Sequence, residues 1–149
     1  MSVEELPTSF DQIHLKIQCA HLSPEKVFSY WIEPELLTKW WPQEAEIEVK
    51  AGGKFHLSWS TMNWHLRGTI VTLDFYTKLA FTWKWDHEPD HPVRNVMVTF
   101  SPAGQGTIMN VIHESYQDTE EEQKVRQEHL DGWKFFGVRL LTLTEKNQE

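Results

Sequence analysis

The chain has 149 residues, and its 22 acidic against 14 basic side chains give a formal charge of −8, the wrong sign for neutralising phosphates or resting on an anionic leaflet; no nucleic acid and no membrane partner is expected. A chain of this length fits one domain, 1–149, which buries roughly 68 to 70% of the surface its unfolded form exposes, so a sizeable core is available. Cys19 is the only cysteine, "MSVEELPTSF" lacks the basic start and apolar run of a leader, and no stretch reaches the 18 or so apolar residues of a membrane span, which together make a cytoplasmic domain the expectation.

In "DQIHLKIQCA" the residues Ile13, Leu15, Ile17 and Cys19 alternate with polar partners, the period of a strand with one buried face. "LSPEKVFSYWIEPELLTKWWP" offers Ser23 as an N-cap with Pro24 at the first helical position, and a second start at Pro34. Two short helices are therefore expected, broken between Ile32 and Glu35 and ended by Pro42. "EAEIEVK" follows as a short strand, and "AGG" as a turn whose backbone glycine adopts cheaply. Strands are then predicted over Lys54 to Ser60, Trp64 to Leu73, Lys78 to Trp85, Val93 to Phe100 and Thr107 to Tyr116.

Alternation assigns the faces of these strands. One face collects Phe55, Leu57 and Trp59; Trp64 and Leu66; Leu79, Phe81, Trp83 and Trp85; Val96, Val98 and Phe100; and Met109, Val111 and His113. His65 and Arg67 fall on the other. The last element, Glu120 to about Lys146, reads as one long helix with Thr119 and Glu122 as a capping box and glutamates at the positive end of its dipole. Steps of 100° from Trp133 place Leu130, Phe136, Gly137, Leu140, Leu141, Leu143 and Thr144 within about 80° of it, a single apolar stripe. Phe135 and Val138 lie opposite. The stripe has one large apolar surface to meet, the concave face of the sheet, which predicts an α+β fold with helices on one side.

Four stretches carry a resemblance: "VFSYWIEPELLTKWWP", "AGGKFHLSW", "GTIVTLDFYTKLAFTWKW", and "GTIMNVIHESY" followed by "HLDGWKFFGVRLLTL". In this order and spacing the chain resembles the activator-of-heat-shock-protein-ATPase homologues of the START-like, or SRPBCC, superfamily. The resemblance implies a helix-grip fold: a curved antiparallel sheet of six or seven strands wrapped around a long C-terminal helix, two short helices after the first strand, and a cavity between helix and sheet. One stretch departs from the family pattern: "STMNWHLRG" stands where relatives have an Asp-Gly-type turn, so the mouth of the cavity is expected to differ.

Within that frame the chain reads as a non-enzymatic binding module for a small apolar or aromatic molecule. The candidate lining is Trp40, Trp41, Phe55, Leu57, Trp59, Trp64, Phe81, Trp83, Trp85, Met109, Trp133, Phe136, Gly137 and Leu140, with His113 as the polar contact, because flat rings stack on flat ligands and a neutral-range imidazole can fix a polar end. Gly132 and Gly137 would leave room beside Trp133. The same aromatics also suit a plain core, since each fully buried large side chain stabilises by roughly 1.5 to 3 kcal/mol. Two alternatives accompany this reading: a polyketide cyclase or aromatase relative in which His113 moves a proton, and a protein that stimulates a chaperone ATPase. Against the latter, relatives this short lack the namesake's additional N-terminal domain, and a chaperone partner is not expected. "WDHEPDHP" holds metal donors but reads as a solvated hairpin, and no phosphate loop, nucleophile elbow or paired-cysteine motif is present, so neither metal nor cofactor is expected. The exposed pair Phe135 and Val138 suggests a homodimer.

Overall fold

The computed structural model describes residues 2–146, and among them eight strands form one antiparallel sheet. In chain order the elements are β1 (Ser2–Glu5), β2 (Gln12–Cys19), α1 (Pro24–Ile32), α2 (Pro34–Leu37), β3 (Glu44–Ile47), β4 (Lys54–Trp59), β5 (Trp64–Asp74), β6 (Lys78–Trp85), β7 (Arg94–Ala103), β8 (Gly106–Glu114) and α3 (Glu120–Lys146). The sheet order is β1-β2-β8-β7-β6-β5-β4-β3. Six or seven strands were expected; the eighth is β1, whose Val3 pairs with Ile17. A four-residue strand containing two glutamates has too few apolar positions to display a period.

The other elements form where their sequences direct. Along β2 every second side chain is buried, and Ile13 and Leu15 are sealed from solvent. Ser23 Oγ accepts from the Lys26 backbone N–H at 3.4 Å, Pro24 opens α1, and the turn from Glu33 N–H to Ser29 O at 3.0 Å closes it before Pro34 starts α2. The helix pair is then pinned by the Trp40 indole, which donates to Tyr30 O at 2.9 Å. Gly52, at φ +84, makes the turn between β3 and β4 that a side-chain-bearing residue would strain.

The face assignment holds: Phe55, Leu57, Leu66, Phe81, Val96, Val98, Met109 and Val111 are all buried under the helices. On the opposite face Arg67 donates to Asp86 at 2.9 Å and Lys54 meets Glu46 at 2.8 Å. A register shift between Ile70 and Thr72 interrupts the β5–β6 ladder, the kind of extra residue that bends a sheet. α3 lies across the concave face against β1 and β2.

Its N-terminus differs from the predicted capping box. Thr119 Oγ1 does accept from Glu122 N–H at 3.1 Å, but the Glu122 carboxylate turns away to Arg94, at 3.0 and 2.7 Å, and to Gln117 N–H at 3.3 Å. Arg94, 1% exposed, also donates to Ser115 O and lies over the Tyr116 ring at 4.5 Å. A buried guanidinium needs these acceptors, and that demand outweighs reciprocal capping. No helix among the described residues is long and apolar enough to cross a membrane.

Candidate functional site

α3 does not lie flat on the whole sheet. It packs closely on β1 and β2, where Val3 and Ile17 meet it; over β4, β5 and β6 tryptophans stand between helix and strands, and a cleft of about 680 Å³ opens there. Its walls include Trp41 from the α2–β3 connection, Trp59, Trp64, Trp83 and Trp85 from the sheet, and His129, Gly132, Trp133, Phe135 and Phe136 from α3. The inner rings are tightly arranged. Trp41 stacks on Trp83 at 5.9 Å and 25°, and lies 5.1 Å from Trp133. At the mouth, Trp64 is 39% exposed and stacks on His87 at 4.9 Å. Thr61 and Met62, from the stretch where an altered rim was expected, stand beside it.

Beneath the inner wall lies a buried polar layer. Trp133 Nε1–H donates to His113 Nδ1 at 2.9 Å; the His113 ring stacks on His129 at 5.2 Å and 4°; and the Tyr116 hydroxyl meets His129 Nδ1 at 2.7 Å. Burial, reinforced by His129 and Arg94, holds His113 well below its ordinary pKa, and burial with Arg94 and His91 takes His129 down to about 4. Both imidazoles are therefore neutral at pH 7. Burial also pushes the Tyr116 phenol upward. Trp31 Nε1, Trp83 Nε1 and His113 Nε2 are buried with no hydrogen-bond partner among the described residues.

Of the predicted site residues, Trp41, Trp59, Trp64, Trp83, Trp85, Trp133 and Phe136 come together around the cleft. Trp40, Phe55, Leu57, Phe81, Met109 and Leu140 are buried in the core behind it; Phe55 stacks on Phe81 at 4.1 Å, leaving no gap for a third ring. His113 faces inward as expected but sits one layer under the wall, fully buried. His129, which the sequence reading passed over, stands on the wall in its place. The available signal was its position one turn before Trp133 on the same helical face. Phe135, assigned to the outer face, is 60% exposed and also forms part of the rim.

The two helix glycines divide. A Cβ at Gly137 would meet Val3 Cγ2 at 3.3 Å and Ile17 Cδ1 at 3.5 Å, so this glycine admits β1 and β2 close to the helix and does not make room beside Trp133 as expected. At Gly132, on the cleft, nothing lies within 4 Å. Gly132→Ala is expected to raise stability by about 1 kcal/mol through helix propensity, whereas Gly137→Leu should lower it by roughly 1 to 3 kcal/mol through overpacking; urea midpoints of the two variants test both signs.

The "WDHEPDHP" loop is held by Lys84, whose ammonium donates to the carbonyls of Glu88 at 3.2 Å, Pro89 at 3.0 Å, and His91. Among the described residues no group of three His, Cys, Asp or Glu side chains is placed to hold a metal ion.

A family model described as "Activator of Hsp90 ATPase homolog 1-like protein" matches residues 21–143, from the β2–α1 connection through most of α3. The chain belongs to that family. Its fold is shared with solved structures of low identity. Protein MLL2253 from Mesorhizobium loti superposes with a TM-score of 0.80 at 19% identity, over 91% of this chain and 97% of that one. DynU16, from the dynemicin biosynthetic locus, gives 0.79 at 15% identity over 95% of this chain, which spans 49% of DynU16. CalU16 from Micromonospora echinospora gives 0.67 at 16%, over 99% and 90%. No curated protein matches the chain. For this member of the Hsp90 ATPase activator homologue family, these likenesses give the helix-grip fold, and the cleft has to be read from its own residues.

Proposed function

We propose that the protein is a binding module for a small, flat, apolar molecule, held in the cleft between α3 and β4 to β6. The observation that carries this reading is the cleft itself: about 680 Å³ walled by tryptophan rings from five separate chain segments, within the size range of small-molecule sites. Trp41, Trp83 and Trp133 pack on one another at 5 to 6 Å, so a flat ligand would lie against the aromatic surface they form together and not between them. The family and fold agree with a ligand-holding role.

Titrating the protein with a panel of aromatic and lipid-like compounds is expected to quench tryptophan emission, because the cleft's walls are the fluorophores. A ligand present at a hundred times its Kd should add about 2.7 kcal/mol of stability and raise the melting temperature accordingly. Unchanged emission and unchanged melting across the whole panel would refute the proposal.

A further inference from the structure

The rings of the inner wall carry their polar atoms as nitrogen, and the indole nitrogens among them can only donate. Trp41, Trp83 and Trp133 carry only indole N–H groups. That of Trp133 is spent on His113, while that of Trp83 is buried with no partner among the described residues. The tautomer of His129 follows from its neighbour. Among the described residues the Tyr116 hydroxyl meets only His129 Nδ1, at 2.7 Å, so it has one place to send its proton; Nδ1 accepts, and the imidazole hydrogen resides on Nε2. That Nε2 has no partner among the described residues, and the residue faces the cleft. The Trp83 and His129 ring centroids are 5.5 Å apart. Trp83 and His129, adjoining side chains of one wall, thus each carry an N–H donor with no partner among the described residues. Gln43, Glu88 and Glu128 also line the cleft, on segments other than β6, which carries Trp83.

We propose that the cleft selects its ligand by a neutral acceptor oxygen, a carbonyl carried on a flat aromatic system and received by His129 Nε2–H, with Tyr116 as the positioning residue that keeps the donor tautomer. This rests on the cleft reading above and adds the ligand's polar signature. Hydrocarbon rings would leave the donors unanswered, and a ligand presenting its own N–H there would meet N–H.

The test compares 2-acetylnaphthalene with 2-isopropenylnaphthalene, near-isosteres that differ by C=O against C=CH2. The ketone should bind on the order of fivefold to tenfold tighter, the worth of one net hydrogen bond. His129→Phe should bring the ratio close to one, and Tyr116→Phe, which frees the tautomer, should lower it. Each ratio is taken within a single variant, so a general loss of fit cancels. Should a variant not fold, nitrogen-15 spectra of the unaltered protein decide: the proposal expects the His129 proton on Nε2, and a proton on Nδ1 overturns it. Equal binding of both compounds overturns the acceptor inference and leaves the aromatic cleft standing; binding of neither overturns both.

Discussion

Replacing Glu122 with alanine should destabilise the protein by about 3 to 5 kcal/mol, the cost of stranding a buried charge. Arg94 is 1% exposed, and Glu122 supplies it with two hydrogen bonds, at 3.0 and 2.7 Å. Without that carboxylate the guanidinium keeps only the Ser115 carbonyl and the face of Tyr116. The pair also joins the start of α3 to β7, so the loss should loosen the helix at the end nearest His129. Urea denaturation of Glu122→Ala measures it. The pair is not required for stability as such: Arg94→Leu with Glu122→Leu, which removes both charges, should recover most of the loss, as buried pairs replaced by apolar residues commonly do. A Glu122→Ala variant within 1 kcal/mol of the parent would show that water satisfies Arg94.

Acid should act on the layer beneath the cleft. His113 and His129 are held neutral, with folded-state pKa values below the unfolded value of about 6.5. Above that value both states are neutral and these groups contribute no pH dependence. Below it the unfolded chain takes up protons that the folded chain refuses, so stability falls as pH falls. For His129, whose folded value is about 4, the loss runs from pH 6.5 to about 4 and reaches about 3 kcal/mol. His113, shifted in the same direction, adds to it over the same window and below. Protonating His113 Nδ1 would also evict the Trp133 N–H, so tryptophan emission should report the transition. Stability measured in urea from pH 7.5 to 4 tests this, and His129→Phe should flatten the slope by roughly one proton. A slope in the parent no steeper than in that variant would mean that His129 is protonated while folded.

Most of the scaffold could be read from the chain because its signals are local. Alternation in "QIHLKIQC" and "KLAFTWKW", the Ser23-Pro24 start and the glutamates in the first turn of α3 each act within a few residues, and the corresponding elements formed where expected. β1 was not legible, since "SVEE" has no period of its own and is held by distant partners: Ile17 across the ladder, the gap over Gly137, and Lys134, which meets Glu5 at 3.1 Å. The Arg94–Glu122 pair joins residues 28 apart in sequence, and the local capping pattern pointed Glu122 elsewhere.

The cleft was legible in composition but not in position. Periodicity put the aromatics on one face; it could not show that Phe55 and Phe81 close on each other in the core while the cleft opens beside the stacked Trp41 and Trp83, because that depends on how α3 sits over each part of the sheet. It likewise placed His113 inward without showing that Trp133 and His129 lie above it. Depth within a core is set by packing of several elements, whereas face is set by one.

The sheet does not close on itself, and its two free edges are β1 and β3. An open edge is a template for polymerisation, since its unpaired N–H and C=O groups can continue the ladder into another chain. Here β1 carries Glu4 and Glu5 and β3 carries Glu44 and Glu46, all exposed. Continuing the sheet edge to edge through two copies of β1 or of β3 would bring like charges together, so the residues that hid β1 from a hydrophobicity reading also guard the molecule against fibrous aggregation, a guard that acid would remove.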